Sequence, residues 1–363
     1  MAARVPLHQR DPEYRVLRVP RWSREGDAIV VDDAQTGIAQ RWKPWTAEVL
    51  EGLAAAEPYP ALVDRLQRFW PRKRRAWCDA TLRRFLFTLH RLKAIELVLE
   101  QPTSFADGRY VVRKELGRGG VGVAWLCRDA RDGRQVVVKR AWDYFATLAR
   151  ADALMRAEAE VMRKLDHPRI AKALDAFEED GAFHLVRELA EGEELSRWRG
   201  KGIEDVEARH RLASDIADIV AHLHERGFLL LDLRPANFFV DPRSMRPMLI
   251  DVGHCKPLAN GRVELGKPAK NRAHGSPGFA APETHDGVAT PRTDVWGFGR
   301  LHFFVATGQL PKPTDAAADL LARLDAARVP ESDRRLVARC AADAPEERPA
   351  TMLEARALLR GGG

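Results

Sequence analysis

A glycine-rich segment between two strand-like runs places the strongest constraint on the fold of this 363-residue chain. Residues 116–122 read LGRGGVG, the pattern G-x-G-x-x-G, and strand-like runs at 110–116 and 123–128 flank it. Without side chains, backbone N–H groups can approach phosphates, so Gly117, Gly119 and Gly122 are candidate nucleotide-binding residues. A Rossmann unit needs a helix directly after this motif. Because a strand follows instead, the sequence disfavours that fold and leaves a ligand-free glycine hairpin as the alternative.

A lysine and a glutamate follow the glycine segment. Lys139 closes a third strand-like run, at 135–140, and Glu158 lies in the helical stretch 144–165. A lysine at the end of an apolar strand usually extends its charge into solvent, and a helical glutamate is often solvated. After a phosphate-binding loop, Lys139 is instead placed to pair with phosphates and Glu158 to pair with Lys139.

The remaining pattern predicts an α+β fold with two lobes. Two more strand-like runs end at Leu189, and the chain beyond Asp205 is mostly helical, with a strand-rich interval near 238–251. Five strands with one helix, followed by a helical body, are typical of that arrangement.

Acidic and amide side chains cluster in the second half of the chain. The segment 232–237, DLRPAN, supplies Asp232, Arg234 and Asn237, and Asp251 follows 14 residues later in the segment DVG. Two carboxylates and an amide suit a hard cation with oxygen ligands and bridging phosphates.

These segments together resemble the Hanks-type (eukaryotic-like) serine/threonine protein kinases. The glycine loop, the strand lysine, the catalytic loop and the metal-binding D-x-G occur in the order of that family. The segment 275–283, GSPGFAAPE, resembles the substrate-facing loop that ends in A-P-E, and 293–297, TDVWG, resembles the buried central helix. Arg348 is expected to pair with Glu283. Aminoglycoside- and choline-kinase relatives share D-x-x-x-x-N but lack A-P-E.

The resemblance implies a kinase that uses ATP and Mg²⁺ to phosphorylate Ser or Thr in a protein or peptide. The catalytic residues that it implies are Asp232, Arg234, Lys139 and Glu158; the nucleotide-binding residues are Gly117, Gly119, Gly122, Ala124, Val137, Lys139, Glu188 and Leu189; the metal ligands are Asn237 and Asp251. Asp232 would orient the attacking hydroxyl or accept its proton. Arg234 replaces the usual lysine with a planar fork. Ser276 is expected to bond to Asp232.

Several positions depart from the family pattern. Leu230 and Leu231 replace the usual His-Arg, which makes the chain a non-RD variant, and the resemblance then implies no dependence on activation-loop phosphorylation. Val252 replaces the phenylalanine of D-F-G. Because these changes spare the phosphate and metal ligands, we expect an active enzyme. The alternative is a pseudokinase scaffold that binds nucleotide and a partner without catalysis.

Two further departures concern the adenine pocket. Ala124 and Val137 exchange the usual valine and alanine above adenine, a nearly volume-conserving change. Arg187 falls at the gatekeeper position. Because a buried arginine must be paired, we expect it to contact Glu158 or Asp251.

The N-terminal third carries most of the excess positive charge. Residues 1–100 contain 18 Lys and Arg against 13 Asp and Glu, while the remainder contains 41 against 39. Two strands within 15–33, short helices at 47–56 and 60–70, a longer helix at 77–100 and a linker at 101–104 are predicted. The pattern resembles a small winged-helix module of the PqqD-like kind, which binds leader peptides by adding them as an edge strand. The resemblance implies phosphorylation of a precursor peptide in a lanthipeptide-like pathway.

A basic run supports a rival interpretation of the same region. The cationic and aromatic residues concerned are Arg72, Lys73, Arg74, Arg75, Arg83, Arg84, Arg91, Lys93, Trp70, Trp77 and Phe85. Such a patch is compatible with a regulator that binds nucleic acid or another polyanion. The excess charge is too small to indicate DNA binding, and a solvated helix face is the simpler alternative.

The predicted organisation is a winged-helix-like module at 1–105, a kinase N-lobe at 106–190 and a C-lobe at 191–360. No stretch approaches the ~20 apolar residues of a membrane helix, so no membrane partner is expected. The four cysteines form no CxxC pair, which suggests neither a disulfide framework nor a zinc site. A reducing, cytoplasmic setting is therefore expected.

Overall fold

The structure is a computed structural model that describes residues 13–17, 20–32, 39–91, 95–98, 102–118, 122–141, 148–266 and 275–359. The chain divides into two compact units. One comprises Met1–Arg134, Val138–Ala153 and Phe177–His184, and the other comprises Gln135–Val137, Leu154–Ala176 and Leu185–Gly363. The division into three domains stays a prediction. Within the described ranges, no helix is long and apolar enough to cross a membrane.

The N-terminal region combines short strands with three helices. Its elements are β1 (Glu13–Val16), β2 (Trp22–Glu25), β3 (Ala28–Asp32), β4 (Ala39–Trp42), α1 (Thr46–Ala54), α2 (Tyr59–Phe69), α3 (Arg75–Arg91) and β5 (Ile95–Val98). Strands β2, β3 and β4 form an antiparallel sheet in that order. The helices predicted at 47–56 and 60–70 are confirmed by α1 and α2, whereas the winged-helix resemblance stays a prediction.

The long helix predicted at 77–100 is confirmed up to Arg91 but is wrong at residues 95–98. Helix α3 ends at Arg91, and β5 pairs antiparallel with β1, so that Ile95 lies opposite Val16. Ile95 and Val98 are β-branched residues that suit a strand, and pairing with a distant segment overrides the local helical pattern.

A six-stranded sheet follows. Its strands and the helix inserted between them are β6 (Ser104–Phe105), β7 (Tyr110–Arg118), β8 (Gly122–Asp129), β9 (Gln135–Ala141), α4 (Leu148–Lys164), β10 (Ala173–Glu179) and β11 (Ala182–Glu188). The strand order is β10-β11-β9-β8-β7-β6, and the five predicted strands are confirmed. The predicted linker at 101–104 is partly wrong, because Ser104 pairs with Val111 and extends the sheet by a sixth strand.

The rest of the chain is mainly helical. Its elements are β12 (Glu193–Glu194), α5 (Val206–Glu225), β13 (Phe228–Leu229), β14 (Phe238–Asp241), β15 (Arg246–Leu249), β16 (Lys256–Pro257), β17 (Val263–Glu264), β18 (Val288–Ala289), α6 (Pro291–Thr307), α7 (Ala317–Ala326), α8 (Glu331–Cys340) and α9 (Met352–Ala357), with short 3₁₀ turns at Leu195–Trp198, Pro235–Asn237, Pro282–Asp286 and Pro345–Glu347. Helix α6 is the central element, because every residue from Thr293 to Val305 is buried. It begins at a proline, which suits a first helical turn, and ends before Gly308, whose φ is 68°.

A buried ionic network joins helices α5, α6 and α8. Asp333 on α8 is fully buried, and its carboxylate accepts hydrogen bonds from Arg209 Nε at 2.9 Å and Nη2 at 2.6 Å. His302 Nε2 lies 2.6 Å from the same carboxylate and His210 Nε2 lies 3.2 Å away. Burial alone would raise the pKa of Asp333, but the hydrogen bonds from His302 and Arg209 hold it well below its ordinary value. The network therefore joins three helices around a permanently charged carboxylate.

Replacing Asp333 by alanine is expected to lower the free energy of unfolding by about 3–5 kcal/mol, because Arg209 would remain buried without its counter-charge. Chemical denaturation followed by circular dichroism measures the change. The matched control is Asp325→Ala, which removes an exposed partner of Arg334 and should cost at most about 1 kcal/mol. Equal losses in both variants would contradict the account.

A second buried polar residue, His184, lies among aromatic rings. It is stacked on Phe177 with ring centroids 4.8 Å apart and lies 5.1 Å from the ring of Phe105. Its Nδ1 lies 3.0 Å from the carbonyl oxygen of Ala182. Burial, reinforced by the charge of Arg140, lowers the pKa of His184 to about 3, so the imidazole is neutral at pH 7.

The lowered pKa of His184 predicts that stability falls with acidity. Below about pH 6.5 the unfolded chain binds a proton at this histidine, while the folded chain does not until about pH 3. Each pH unit within that window removes about 1.4 kcal/mol. The variant His184→Phe keeps a ring but does not titrate, so its free energy of unfolding should decline less between pH 7 and pH 5. Parallel pH profiles for the two proteins would refute the assignment.

Candidate active site

The catalytic-loop segment takes its shape from a carboxylate on helix α6. Asp294 is 1% exposed, and its two oxygens accept hydrogen bonds from the backbone N–H groups of Leu230 at 2.9 Å and Leu231 at 2.8 Å. His224 Nε2 lies 2.8 Å from the same carboxylate. Leu231 has a φ of 63°, a left-handed conformation that is uncommon for a leucine. The buried carboxylate thus compensates an unfavourable backbone conformation directly before Asp232.

The carboxylate of Asp232 accepts hydrogen bonds from three neighbouring side chains. Its Oδ1 accepts a hydrogen bond from Ser276 Oγ at 2.6 Å, which confirms the predicted bond. Its Oδ2 accepts bonds from Arg234 Nε at 3.0 Å and Asn237 Nδ2 at 3.1 Å, and Asn237 Nδ2 also reaches the carbonyl oxygen of Asp232 at 2.7 Å. With the carboxylate 2% exposed, these donors fix its orientation.

The approach of Ser276 depends on the preceding glycine. Gly275 has a φ of 125°, and a side chain there would lie 3.2 Å from the carbonyl oxygen of Leu231. Glycine alone accommodates both the left-handed backbone and this close approach. It thereby allows the segment around Ser276 to reach the catalytic loop.

A backbone hydrogen bond places the second acidic residue, Asp251, beside the segment that carries Asp232. The N–H of Ile250 donates to the carbonyl oxygen of Asn237 at 2.9 Å, which places Asp251 beside the catalytic loop. Asp251 Oδ1 accepts a hydrogen bond from the N–H of Gly253 at 2.8 Å. A Cβ atom at Gly253 would lie 3.1 Å from that oxygen and 3.2 Å from Glu158 Oε2. The carboxylates of Asp251 and Glu158 therefore flank the same glycine, and a side chain there would press on both.

A buried guanidinium compensates this concentration of negative charge. Arg187 is 8% exposed and donates from Nη1 to the carbonyl oxygen of Glu188 at 3.0 Å. Burial lowers the pKa of Arg187, while the charges of Glu158 and Asp251 act in the opposite direction. The expected contact of Arg187 with Glu158 or Asp251 stays a prediction, although the negative charges of both residues favour the charged form of the guanidinium.

The strands on either side of the glycine segment pair antiparallel. Gly117 lies opposite Ala124 and Arg118 opposite Val123 in the β7–β8 ladder, and Gly122 begins β8. Among the residues that the structure describes, no atom lies within 4 Å of the place that a side chain at Gly117 would take. Gly119 lies outside the described residues.

The other predicted nucleotide-site residues lie on or beside strands of the six-stranded sheet. Val137 on β9 is 1% exposed, and Lys139 lies two residues further along, half-buried. Glu188 ends β11 and exchanges two hydrogen bonds with the backbone of Lys172, through its own N–H at 3.0 Å and its carboxylate at 3.1 Å. Leu189 follows directly.

The predicted pairing of Glu283 with Arg348 is confirmed. Arg348 Nη1 and Nη2 donate to the two carboxylate oxygens of Glu283 at 2.8 Å and 3.1 Å, and the guanidinium is 2% exposed. Thr293 Oγ1 donates to Glu283 as well, at 2.8 Å. A bidentate pair of this kind holds the A-P-E segment with defined geometry.

Comparison with known proteins agrees with this geometry. Residues 110–356 match the family model described as Protein kinase domain. The chain belongs to the protein kinase family. The serine/threonine-protein kinase PkaA of Streptomyces coelicolor is 30% identical over 276 residues, which cover 69% of this chain and 49% of that protein. Calcium-dependent protein kinase 8 of Arabidopsis thaliana is 31% identical over 219 residues, 59% of this chain and 40% of that protein. The chain thus spans less than half the length of these relatives.

Within the kinase domain, the departures from the family pattern fall on packing positions. Val252 is 2% exposed and its carbonyl oxygen accepts the N–H of Cys255 at 2.9 Å. Leu230 is fully buried and Leu231 packs against the apolar cluster that contains Leu229 and Val263. Apolar side chains are therefore accommodated where the family usually has histidine, arginine and phenylalanine.

Sequence reasoning missed one residue beside Asp232. His254 Nδ1 lies 3.5 Å from Asp232 Oδ2, and the imidazole is 61% exposed. The position follows D-x-G directly, but a single histidine in a loop gives no signal by itself. The roles of Asp294 and His224 in holding the loop also emerge only from the structure.

Replacing Asp294 by asparagine is expected to loosen the catalytic loop of the kinase domain. The amide offers one acceptor where two N–H groups need acceptors, so the free energy of unfolding should fall by about 1–3 kcal/mol. Amide hydrogen exchange in residues 228–237 should accelerate. Asp286→Asn, at an exposed position, is the matched control and should leave both quantities unchanged. Unaltered exchange in the Asp294 variant would disprove the anchoring role.

Proposed function

We propose that this chain is an ATP- and Mg²⁺-dependent serine/threonine kinase that phosphorylates a protein or peptide. The observation that carries the proposal is the arrangement around Asp232, where Ser276, Arg234 and Asn237 donate to one buried carboxylate. The kinship with serine/threonine-protein kinases supports the same assignment.

The donor set around Asp251 fits a magnesium ion. Both hydrogen bonds from Asn237 to Asp232 use the amide nitrogen of Asn237. Because its amide oxygen takes no part in these two bonds, that oxygen would serve as a metal ligand. Asn237 and Asp251 would hold the ion through hard oxygen atoms, the ligands that Mg²⁺ prefers. When bound, the ion neutralises charge on the phosphates of ATP.

In the proposed reaction, Asp232 orients the hydroxyl of the acceptor serine or threonine and accepts its proton. The hydroxyl oxygen forms the new bond to the γ-phosphorus, the bond from that phosphorus to the β,γ-bridging oxygen breaks, and ADP leaves. Arg234 would neutralise charge on the transferred group, while Lys139, fixed by Glu158, would hold the phosphates. Gly117, Gly119 and Gly122 would cover the phosphates. Ala124, Val137, Glu188 and Leu189 would bind the adenine.

Regulation is proposed to bypass the activation loop. Leu230 and Leu231 stand where the family usually has His-Arg, so the chain would be a non-RD variant. No arginine directly before Asp232 is then available to bind a phosphorylated activation loop. Asp294 already fixes the backbone at these positions. The buried charge of Arg187 beside Glu158 and Asp251 adds a second internal support for the active arrangement.

The N-terminal module is proposed to recognise the substrate peptide. Strand β2 is an edge of the three-stranded sheet, and three of its four residues are exposed. Such an edge suits the addition of a leader peptide as a further strand, as in the PqqD-like domains that this region resembles. The substrate would then be a precursor peptide in a lanthipeptide-like pathway. Four free, buried thiols fit the reducing cytoplasm that we propose as its location.

The catalytic assignment predicts that Asp232→Asn lowers the transfer rate by at least about 100-fold, because the acceptor for the hydroxyl proton is lost. Lys139→Met is expected to abolish transfer as well. The assay measures incorporation of labelled γ-phosphate into a Ser/Thr peptide library. Arg234→Lys, which restores the usual family residue, is the control and should stay active.

Two outcomes would overturn the kinase assignment. Normal transfer by the Asp232 variant would refute the mechanism. A chain whose melting temperature rises with Mg·ATP, but which phosphorylates no member of the library, would instead be the nucleotide-binding pseudokinase scaffold.

A further inference from the structure

The loop between α2 and α3 presents cationic and aromatic side chains together. We call the set Phe69, Arg72, Lys73, Arg74 and Trp77 the α2–α3 ledge. Phe69 is 41% exposed and Trp77 is 40% exposed, and all residues from 71 to 77 are exposed. A solvated helix face would show the charges but not two large exposed rings, so the ledge has the composition of a binding surface.

The ledge is built on ordered contacts. Gln67 Nε2 donates to the carbonyl oxygens of Trp70 at 3.2 Å and Lys73 at 2.7 Å, and the N–H of Lys73 donates to the carbonyl oxygen of Trp70 at 3.0 Å. These hydrogen bonds join the end of α2 to the loop residues Trp70 and Lys73 and so fix the conformation of the loop. A loop ordered in this way loses little conformational entropy when a partner binds.

Aromatic contacts extend the ledge into the core of the N-terminal region. Trp70 meets Phe69 and Trp77 edge to face, with centroids 5.2 Å and 4.8 Å away, and lies 5.5 Å from Trp45. Trp45 in turn contacts Phe85 at 5.1 Å. The exposed rings are thus the outer end of a continuous series of aromatic contacts.

The positive charge of the ledge is not neutralised from within. Among the described residues, Arg72, Lys73 and Arg74 form no ion pair, whereas the neighbouring Arg75 pairs with Asp64 and Arg83 pairs with Asp79. Three consecutive cations therefore face solvent beside apolar rings, and their charge is complementary to an acidic partner.

The contacts made by the ring of Trp77 favour a peptide over a nucleic acid as the ligand of the ledge. Lys73 Nζ lies 5.1 Å above the ring of Trp77, and Trp70 packs against the same ring at 79°. Bases bind to aromatic residues by stacking on free ring faces, and Lys73 already lies over one face of Trp77. An apolar side chain can still pack on the exposed ring edges.

We propose that the α2–α3 ledge docks an acidic peptide segment that carries at least one large apolar side chain. The carboxylates of the segment meet Arg72, Lys73 and Arg74, and its apolar side chain packs on Phe69 and Trp77. The inference rests on the peptide recognition proposed above and adds the ledge as a second contact surface, besides the edge of β2, with the chemistry of the peptide that it takes. It is tested by binding alone, so its failure is distinct from a failure of catalysis.

The test uses the full chain and a labelled 12-residue peptide in which Glu and Asp alternate with Leu and Phe. Fluorescence anisotropy measures binding at two salt concentrations. The triple variant Arg72→Gln/Lys73→Gln/Arg74→Gln should bind at least about tenfold more weakly and lose most of the salt dependence. Trp77→Ala should also weaken binding about tenfold, as expected for an aromatic anchor. Asp232→Asn should bind like the unmodified chain.

Matched controls separate the ledge from general positive charge. Arg197→Gln/Arg199→Gln/Lys201→Gln removes three exposed cations outside the N-terminal region and should leave the affinity within about twofold. Circular dichroism verifies that each variant is folded, and the single variants Arg72→Gln and Arg74→Gln replace the triple variant if it is not.

Several results would overturn the proposal. One is that a peptide with Gln and Asn in place of Glu and Asp binds as tightly as the acidic peptide. Another is that the ledge variants bind the acidic peptide as tightly as the unmodified chain does. A third is that the acidic peptide does not bind at all. Tighter binding of a 12-nucleotide oligothymidine than of the acidic peptide would assign the ledge to nucleic acid instead.

Discussion

The candidate active site depends on the burial of one carboxylate, Asp294, in the central helix. Its oxygens accept hydrogen bonds from the N–H groups of Leu230 and Leu231 and so fix a left-handed residue directly before Asp232. A strained conformation persists only where surrounding contacts determine it. With that geometry fixed, Asp232 accepts hydrogen bonds from three side chains, and the carbonyl oxygen of Asn237 accepts the N–H of Ile250, the residue before Asp251.

The same principle explains why unusual residues are tolerated around the site. Leu230 is fully buried and Val252 is almost so, which makes the positions apolar where the family usually has histidine and phenylalanine. The carboxylate of Asp294 supplies the hydrogen-bond acceptors for the backbone at these positions. The pair Glu283 and Arg348 retains the bidentate contact that the family resemblance implies.

Much of the kinase domain was predictable from the sequence because its chemistry needs fixed residue types at short spacing. The strands around the glycine segment, the bond between Ser276 and Asp232 and the pair Glu283–Arg348 all follow from such motifs. Long-range pairing was not predictable. Ile95–Val98 resembles the end of a helix locally, and only its ladder with Glu13–Val16 makes it a strand. His254 was missed because its proximity to Asp232 depends on how the loop after Gly253 folds.

The central claim is that internal contacts, rather than a phosphorylated activation loop, hold the catalytic loop in its working shape. The most direct measurement compares the transfer rate before and after complete removal of phosphate from Ser and Thr residues by a phosphatase, with mass spectrometry to verify the removal. The account predicts rates that agree within about twofold, because Asp294 and its partners are unaffected. A loss of tenfold or more after phosphatase treatment, restored by rephosphorylation, would contradict it.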